Sequence, residues 1–319
     1  MAHMVETMAY AGETPWHGLG KSVPADLSPE QMLKTAGLDW QVEKIPAYIK
    51  VDGEERLTGK HALVRSTDKS ILDIVTNDWL PVQNSEAFEF FNEYVHAGDM
   101  EMHTAGSLKN GQIVWALAKI KDSFEVFGGD KVEGYLMFTN PHKWGQSIDV
   151  RFTPIRVVCN NTLTMALNEK GRKAVKVNHR SEFDPQEVKL ALGIAGDQLR
   201  KYKDSALFLG KKRYKKDTVK DYMKELFPVL TQKEESRKEM SKTAEIMLGS
   251  GDEPGILDLQ PGAEFAKGSW WQAFNAVTYF VDHKAGKSAE NRLTSSWFGL
   301  NRNLKMKALD LAIEYAEAA

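Results

Sequence analysis

The sequence predicts an α+β fold: an N-terminal, mainly antiparallel β-sheet with one or two packed helices, followed by a mostly helical C-terminal region. Three observations carry this expectation. From Trp40 to Val158 apolar residues recur with a period of two, broken by turn signals such as Asp52-Gly53 and Asn110-Gly111. After Asp184 the spacing becomes helical, with Pro185 at a first turn and Pro228 as a stop. The 319 residues leave room for one large domain or two ordinary ones. The change of period places the boundary near residue 180, dividing an α+β core with an N-terminal arm (1–180) from a helical region (181–319).

The first 25 residues read as an irregular arm, rich in Gly and Pro, with Trp16 and Leu19 pinning it to the body. Ser28 is an N-cap, Pro29 sits at the first helical position, and Gln31 completes a capping box; Gly37 ends the helix Pro29–Ala36. Trp40–Val51 reads as a strand ending in the Asp52-Gly53 turn. His61–Ser66 and Ser70–Thr76 form the next hairpin. Ser85 caps a helix, Glu86–His96, whose Phe88, Phe91 and Val95 share one face. Glu101–Ser107 and Gln112–Lys121 pair across Leu108-Lys109-Asn110-Gly111, where positive φ is needed. Val132–Thr139 and Ser147–Val158 complete one sheet of at least six strands. A helix at Asn161–Leu167 and a strand at Ala174–His179 close it. Helices follow at Gln186–Leu207, Thr218–Leu226, Ser236–Leu248, Trp270–His283 and Asn303–Ala316. Gly249–Gly262 reads as a loop, and Asn291–Gly299 as polar loop with embedded aromatics.

Composition excludes several classes. Hydrophobic residues are 42% and charged residues 27%, ordinary values for a globular chain. No apolar run reaches the ~18 residues of a membrane span, and MAHMVETMAY lacks the apolar core of a signal peptide. A single cysteine, Cys159, forbids an intrachain disulfide, and the expected location is cytoplasmic. The eight histidines show no metal-ligand spacing, so no metal or other cofactor is expected.

Classical catalytic motifs are missing: no P-loop, no Gly-x-Gly-x-x-Gly, no His-Glu-x-x-His, no Gly-x-Ser-x-Gly. Three weaker arrangements remain. His17, in Trp16-His17-Gly18-Leu19-Gly20, fits a loop-borne base or a structural latch. Cys159 with His142 or His179 fits a thiol nucleophile, or a buried inert thiol. Asp99, Glu101 and Asp149 are the carboxylates available to a metal-dependent nuclease.

Charge points elsewhere. The net charge of −2 conceals a basic middle: Arg151–Lys220 holds 17 Lys/Arg against 7 Asp/Glu, so the remainder sums to −12. Within and beside it, Lys143, Trp144, Arg151, Phe152 and Arg156 lie on a strand–turn–strand segment. Arg151 and Arg156 have opposite parity, and a bulge near Pro154 would align them. Arg172, Lys173, Lys176 and Arg180 follow. Lys211, Lys212, Arg213, Lys215 and Lys216 then surround Tyr214. Cations track phosphates while the faces of Trp144, Phe152 and Tyr214 stack on unpaired bases, which is what single-strand binding requires. A solvated lysine loop and a core phenylalanine are the structural alternatives for the same residues.

Three stretches carry a family resemblance: Glu6–Gly20 (ETMAYAGETPWHGLG), Thr153–Leu167 (TPIRVVCNNTLTMAL) and the AFNAVTYFVDHKAG…NRLTSSWFG pattern of Ala273–Gly299. The chain resembles the phage/plasmid-like protein family built on the domain of unknown function numbered 932. The resemblance implies a home on phages, prophages or plasmids and supplies no catalytic residue. In predicted topology it is also similar to the single-strand annealing proteins of phage recombination, the RecT and Redβ type. That likeness implies a ring or filament on single-stranded DNA. The expected partners are therefore single-stranded DNA and further copies of the chain, without a membrane. A nuclease or base-modifying enzyme, and an inhibitor of a host defence protein, are the alternatives.

Overall fold

The structure, a computed structural model, describes residues 5–12, 20–96, 98–156, 161–162, 165–166, 176–177, 185–229, 240–286 and 288–319. It is α+β, with strands dominating the first half and helices the second. The elements are β1 (Val5–Ala11), β2 (Lys21–Val23), α1 (Pro29–Thr35), β3 (Val42–Val51), β4 (Glu54–Arg65), β5 (Ile71–Val75) and α2 (Asn84–His96). They continue with β6 (Met100–Leu108), β7 (Ile113–Glu125), β8 (Lys131–Pro141) and β9 (Ile148–Arg156). Short strands β10 (Asn161–Thr162), β11 (Met165–Ala166) and β12 (Lys176–Val177) follow. The helical part holds α3 (Pro185–Lys211), α4 (Lys216–Leu226), α5 (Lys242–Leu248), the ribbon β13 (Gly249–Ser250) and β14 (Glu253–Pro254), and α6 (Ile256–Leu259). It ends with α7 (Trp270–Tyr279), a π-helical turn Phe280–Lys284, α8 (Ala289–Phe298) and α9 (Leu300–Glu317).

Two compact units are each drawn from separate segments. One comprises Met1–Lys121, Tyr135–Phe152 and Ala166–Gly196; the other comprises Asp122–Gly134, Thr153–Met165 and Asp197–Ala319.

The strands form two main sheets, not the single sheet expected. The larger runs β10-β9-β8-β7-β6-β1-β2, with β11 and β12 also pairing with β9; the smaller is β3-β4-β5. The N-terminal arm is a further correction. Val5–Ala11 is a strand, antiparallel to β6 and parallel to β2. Its partner lies about a hundred residues away in sequence, so local periodicity could not reveal it. Gly106 is required at that junction: a Cβ there would lie 2.4 Å from the Thr7 carbonyl oxygen. A polar cluster secures it. Arg65 Nη1 donates to Glu6 Oε1 at 2.7 Å and Ser107 Oγ to Glu6 Oε2 at 3.1 Å. Arg65 also grips Asp68 through Nε–H at 2.9 Å, which holds the Asp68 carboxyl well below the usual carboxylate range.

Local signals governed several elements as expected. The Ser28 hydroxyl accepts from the Gln31 amide at 3.2 Å while Gln31 Oε1 accepts from the Ser28 amide at 2.8 Å, closing the capping box of α1. Lys109 and Asn110 both have positive φ (53° and 56°) in the turn between β6 and β7. In the first unit, Phe91 packs edge-on against Phe88 and Phe138, with centroids 6.3 and 6.1 Å apart.

Other expectations fail. Asn161–Leu167 was expected to be helical, but 161–162 and 165–166 are short strands completed by pairing with β9. Within the expected strand Ala174–His179, only Lys176–Val177 is described, and it pairs with β9. The glycines that weakened 186–207 do not break α3, which runs for 27 residues. Gly249–Gly262 contains a β-ribbon and α6, and Asn291–Phe298 is part of α8, where Leu293 and Trp297 are buried one turn apart.

Candidate nucleic-acid interface

The predicted residues fall into three groups. Lys143 and Trp144 sit on the turn between β8 and β9 in the first unit. The turn is fixed from both sides. His142 is fully buried, its Nε2 2.9 Å from Asn84 Oδ1 and its amide donating to the Gln112 carbonyl at 2.8 Å. The Trp144 amide donates to Asp73 Oδ2 at 2.7 Å, leaving the indole 55% exposed. Trp144 is thus an open aromatic face on an anchored backbone, beside Lys143. Burial also removes His142 from the set of accessible bases.

Three residues of β9 correct the expected surface. Phe152 is 0% exposed and belongs to the core with Ile148 and Val150, so it offers no face to a base. Asp149 and Arg151, two residues apart, share the opposite strand face. Arg151 Nε–H donates to Asp149 Oδ2 at 2.6 Å, and Nη2 contacts the same oxygen. The pair is mostly buried, so Arg151 is neutralised locally, and Asp149 is taken from any carboxylate set. Arg156 pairs through its backbone with Asn161 in β10, and Lys176 stands opposite Asp149 in β12.

Arg172, Lys173 and Arg180 lie outside the described residues, as do His17, Cys159 and His179. Among the described residues, no group of three or more His, Cys, Asp or Glu side chains could hold a metal ion, and Asp99 and Glu101 belong to none.

The third group, Lys211–Lys216, lies in the second unit and is the best-formed site. It links α3 to α4 and is held as a strand-like segment. Arg213 forms an antiparallel bridge with Ser269; the Tyr214 amide donates to the Gly268 carbonyl at 3.1 Å, and the Trp270 amide to the Lys212 carbonyl at 3.0 Å. Lys211, Arg213, Lys215 and Lys216 are exposed, and Lys212 folds over the Phe208 ring at 5.7 Å. The bridge brings in a cation that sequence reading passed over: exposed Lys267, next to Gly268. Only tertiary pairing reveals it, because more than fifty residues separate the two segments.

Tyr214 has a structural role here, which corrects its expected one. Its hydroxyl donates to Gln272 Oε1 at 3.1 Å, and its ring packs edge-on against Trp270 at 5.9 Å. Burial, reinforced by the Asp258 charge, pushes its phenol up to about 12, so it stays a protonated donor across the physiological range. The segment is therefore a stiff row of cations without a stacking ring of its own. A stiff cationic row spends little entropy in docking on a regular array of phosphates.

A model of the family described as Domain of unknown function (DUF932) matches residues 71–297. No curated protein and no solved structure matches the chain. The matched span contains both the Lys143–Trp144 turn and the Lys211–Lys216 row.

Proposed function

Since the chain belongs to the DUF932 family, whose description names no activity, we propose from its geometry that it is a non-enzymatic protein that binds and anneals single-stranded DNA. The observation that carries this reading is the Lys211–Lys216 row, pinned through backbone bonds to Gly268–Trp270 with four cationic side chains open to solvent. In this reading the row and Lys267 neutralise phosphates, Trp144 stacks on an exposed base, and Lys143 steadies the adjoining backbone. The protein acts by holding strands on an assembly of several copies, as a ring or filament, and bonds are neither made nor broken. A phage or plasmid setting, suggested by the sequence resemblance, suits such an activity.

A salt-dependent titration on single- and double-stranded DNA tests it. Each phosphate neutralised on a single strand contributes about −0.7 to the slope of log K against log salt. Changing Lys211, Arg213, Lys215 and Lys216 together to Ala is expected to flatten that slope by about 3. An unchanged slope and affinity would remove this row from the interface.

Trp144→Ala separates stacking from charge. The exposed indole contributes little to folding, so stability is expected to shift by under ~0.5 kcal/mol. Single-strand affinity is expected to fall by about 1–3 kcal/mol with the salt slope preserved. Fluorescence anisotropy at two salt concentrations reads both.

A further inference from the structure

The most exposed apolar surface of the first unit is a two-stranded arm. β4 extends back to Glu54, well before the expected start at His61, and pairs with β3 out to the turn at Asp52-Gly53. β5 pairs with β4 only over His61–Val64. From Pro46 to Lys60 the hairpin therefore has no third strand among the described residues, and none of its residues is buried. Yet it carries Tyr48, Ile49 and Leu57, which are 59%, 53% and 62% exposed, and Tyr48 stands directly opposite Leu57.

Its base adds to that surface. Ile45, Ala62 and Ile74 form one row across β3, β4 and β5, and Ile71 extends the same sheet face opposite Val64. Ile45, Ile74 and Ile71 are 41%, 42% and 66% exposed. Strand alternation places Ile49 on the Ile45 face. Tyr48 and Leu57 lie on the opposite side of the hairpin, so the apolar face is that of Ile45, Ile49, Ile71 and Ile74, which with the open strand edges marks a contact surface. An isolated two-stranded hairpin is marginally stable in water, so covering it also stabilises it.

Charge selects the occupant. Between Pro46 and Lys60 the arm holds three cations, Lys50, Arg56 and Lys60, and three anions, Asp52, Glu54 and Glu55. A phosphate backbone would meet as many anions as cations, which argues against nucleic acid here. A neutral strip of interleaved charges around apolar centres is complementary to itself under a two-fold axis.

We propose that the Pro46–Lys60 arm, with the isoleucine face at its base, is the surface through which two copies of this chain associate. The proposal deepens the assembly part of the function above and rests on it, while standing apart from strand binding. Each copy lays its β3 edge and its Ile45 and Ile49 face against the same elements of the other, extending the small sheet across the axis.

The test uses the full chain without DNA, in sedimentation velocity from about 1 to about 100 μM. Wild type is expected to rise above the 35.9 kDa of one chain. The double variant Ile45→Lys, Ile49→Lys places like charges at the centre of the contact. It is expected to raise the dissociation constant at least about tenfold, with an unchanged far-UV CD spectrum, because both positions are exposed in the single chain. A wild type that stays a single chain throughout overturns both the arm contact and the assembly reading. A double variant that assembles as well as wild type overturns the arm contact alone and leaves assembly to another surface. Neither result touches the salt titration of strand binding.

Discussion

Asp282→Ala is expected to destabilise the second unit by about 3–5 kcal/mol, one of the largest effects of any single change in this chain. Asp282 lies on the π-helical turn after α7 and is 0% exposed. Its Oδ1 accepts from Lys305 Nζ at 2.8 Å and from Ser296 Oγ at 2.7 Å, and Lys305 is also 0% exposed. Burial pushes the Lys305 ammonium below its ordinary range, Asp282 opposes that shift through charge and hydrogen bond, and the Arg302 charge adds to it. Removing the carboxylate strands a buried ammonium, which must then stay charged without its partner or enter the fold neutral.

The pH dependence follows from the sign of that shift. A lysine whose folded pKa is depressed binds fewer protons in the native than in the unfolded chain. Stability therefore rises with pH between the lowered folded value and the ordinary lysine value near 10.4. In Asp282→Ala the folded value drops further and the window widens downward. The deficit against wild type is expected to shrink as pH is raised from the variant's folded lysine value to that of wild type. Urea unfolding followed by CD at several pH values measures it, and a deficit that grows with pH would contradict the pairing. The double variant Asp282→Asn, Lys305→Met, which removes both charges while filling most of the space, is expected to recover most of the loss.

Trp271→Ala is the second large effect, expected at about 3–5 kcal/mol. The indole is 1% exposed, and its Nε1–H donates to Asp130 Oδ2 at 2.9 Å, across 141 residues of sequence. Its ring centroid lies 6.0 Å from that of Tyr202 and 5.7 Å from that of Phe274. One side chain thus joins the loop between β7 and β8 to α3 and α7 within the second unit. Trp271→Phe keeps much of the volume and loses the hydrogen bond to a buried carboxylate, so about 1–3 kcal/mol is expected. Denaturant midpoints of the two variants separate packing from polar satisfaction. Equal losses would mean that the cavity is not the dominant cost.

Some of this was open to sequence reading and was missed. Asp149 and Arg151 stand two apart on a strand, so a shared face and an ion pair follow from alternation alone. Lys305 precedes Ala308 and Ala312 by three and seven residues, on the stripe that α9 buries with Leu309 and Ala316. A lysine on that stripe signals a buried partner, and the aspartate within the apolar run Phe280–Val281–Asp282 signals it from the other side. The exposed arm was half legible: the Asp52-Gly53 turn was plain, but Glu54–Lys60 is too polar to read as strand by hydrophobic alternation.

What the sequence determined by itself is local: the helical and strand periods, the Ser28 capping box, the Asn110 turn, the run of cations at Lys211–Lys216 and the family to which residues 71–297 belong. Neighbouring residues set these, because backbone dihedrals, caps and turns depend on side chains a few positions away. Only the tertiary structure decided which of those residues face solvent. It buried Phe152, tied Tyr214 to Gln272, placed Lys267 beside the basic row and gave β1 its place in the sheet. Nearly all of these outcomes rest on partners tens to more than a hundred residues away, and burial is a property of the whole packed chain rather than of any window within it.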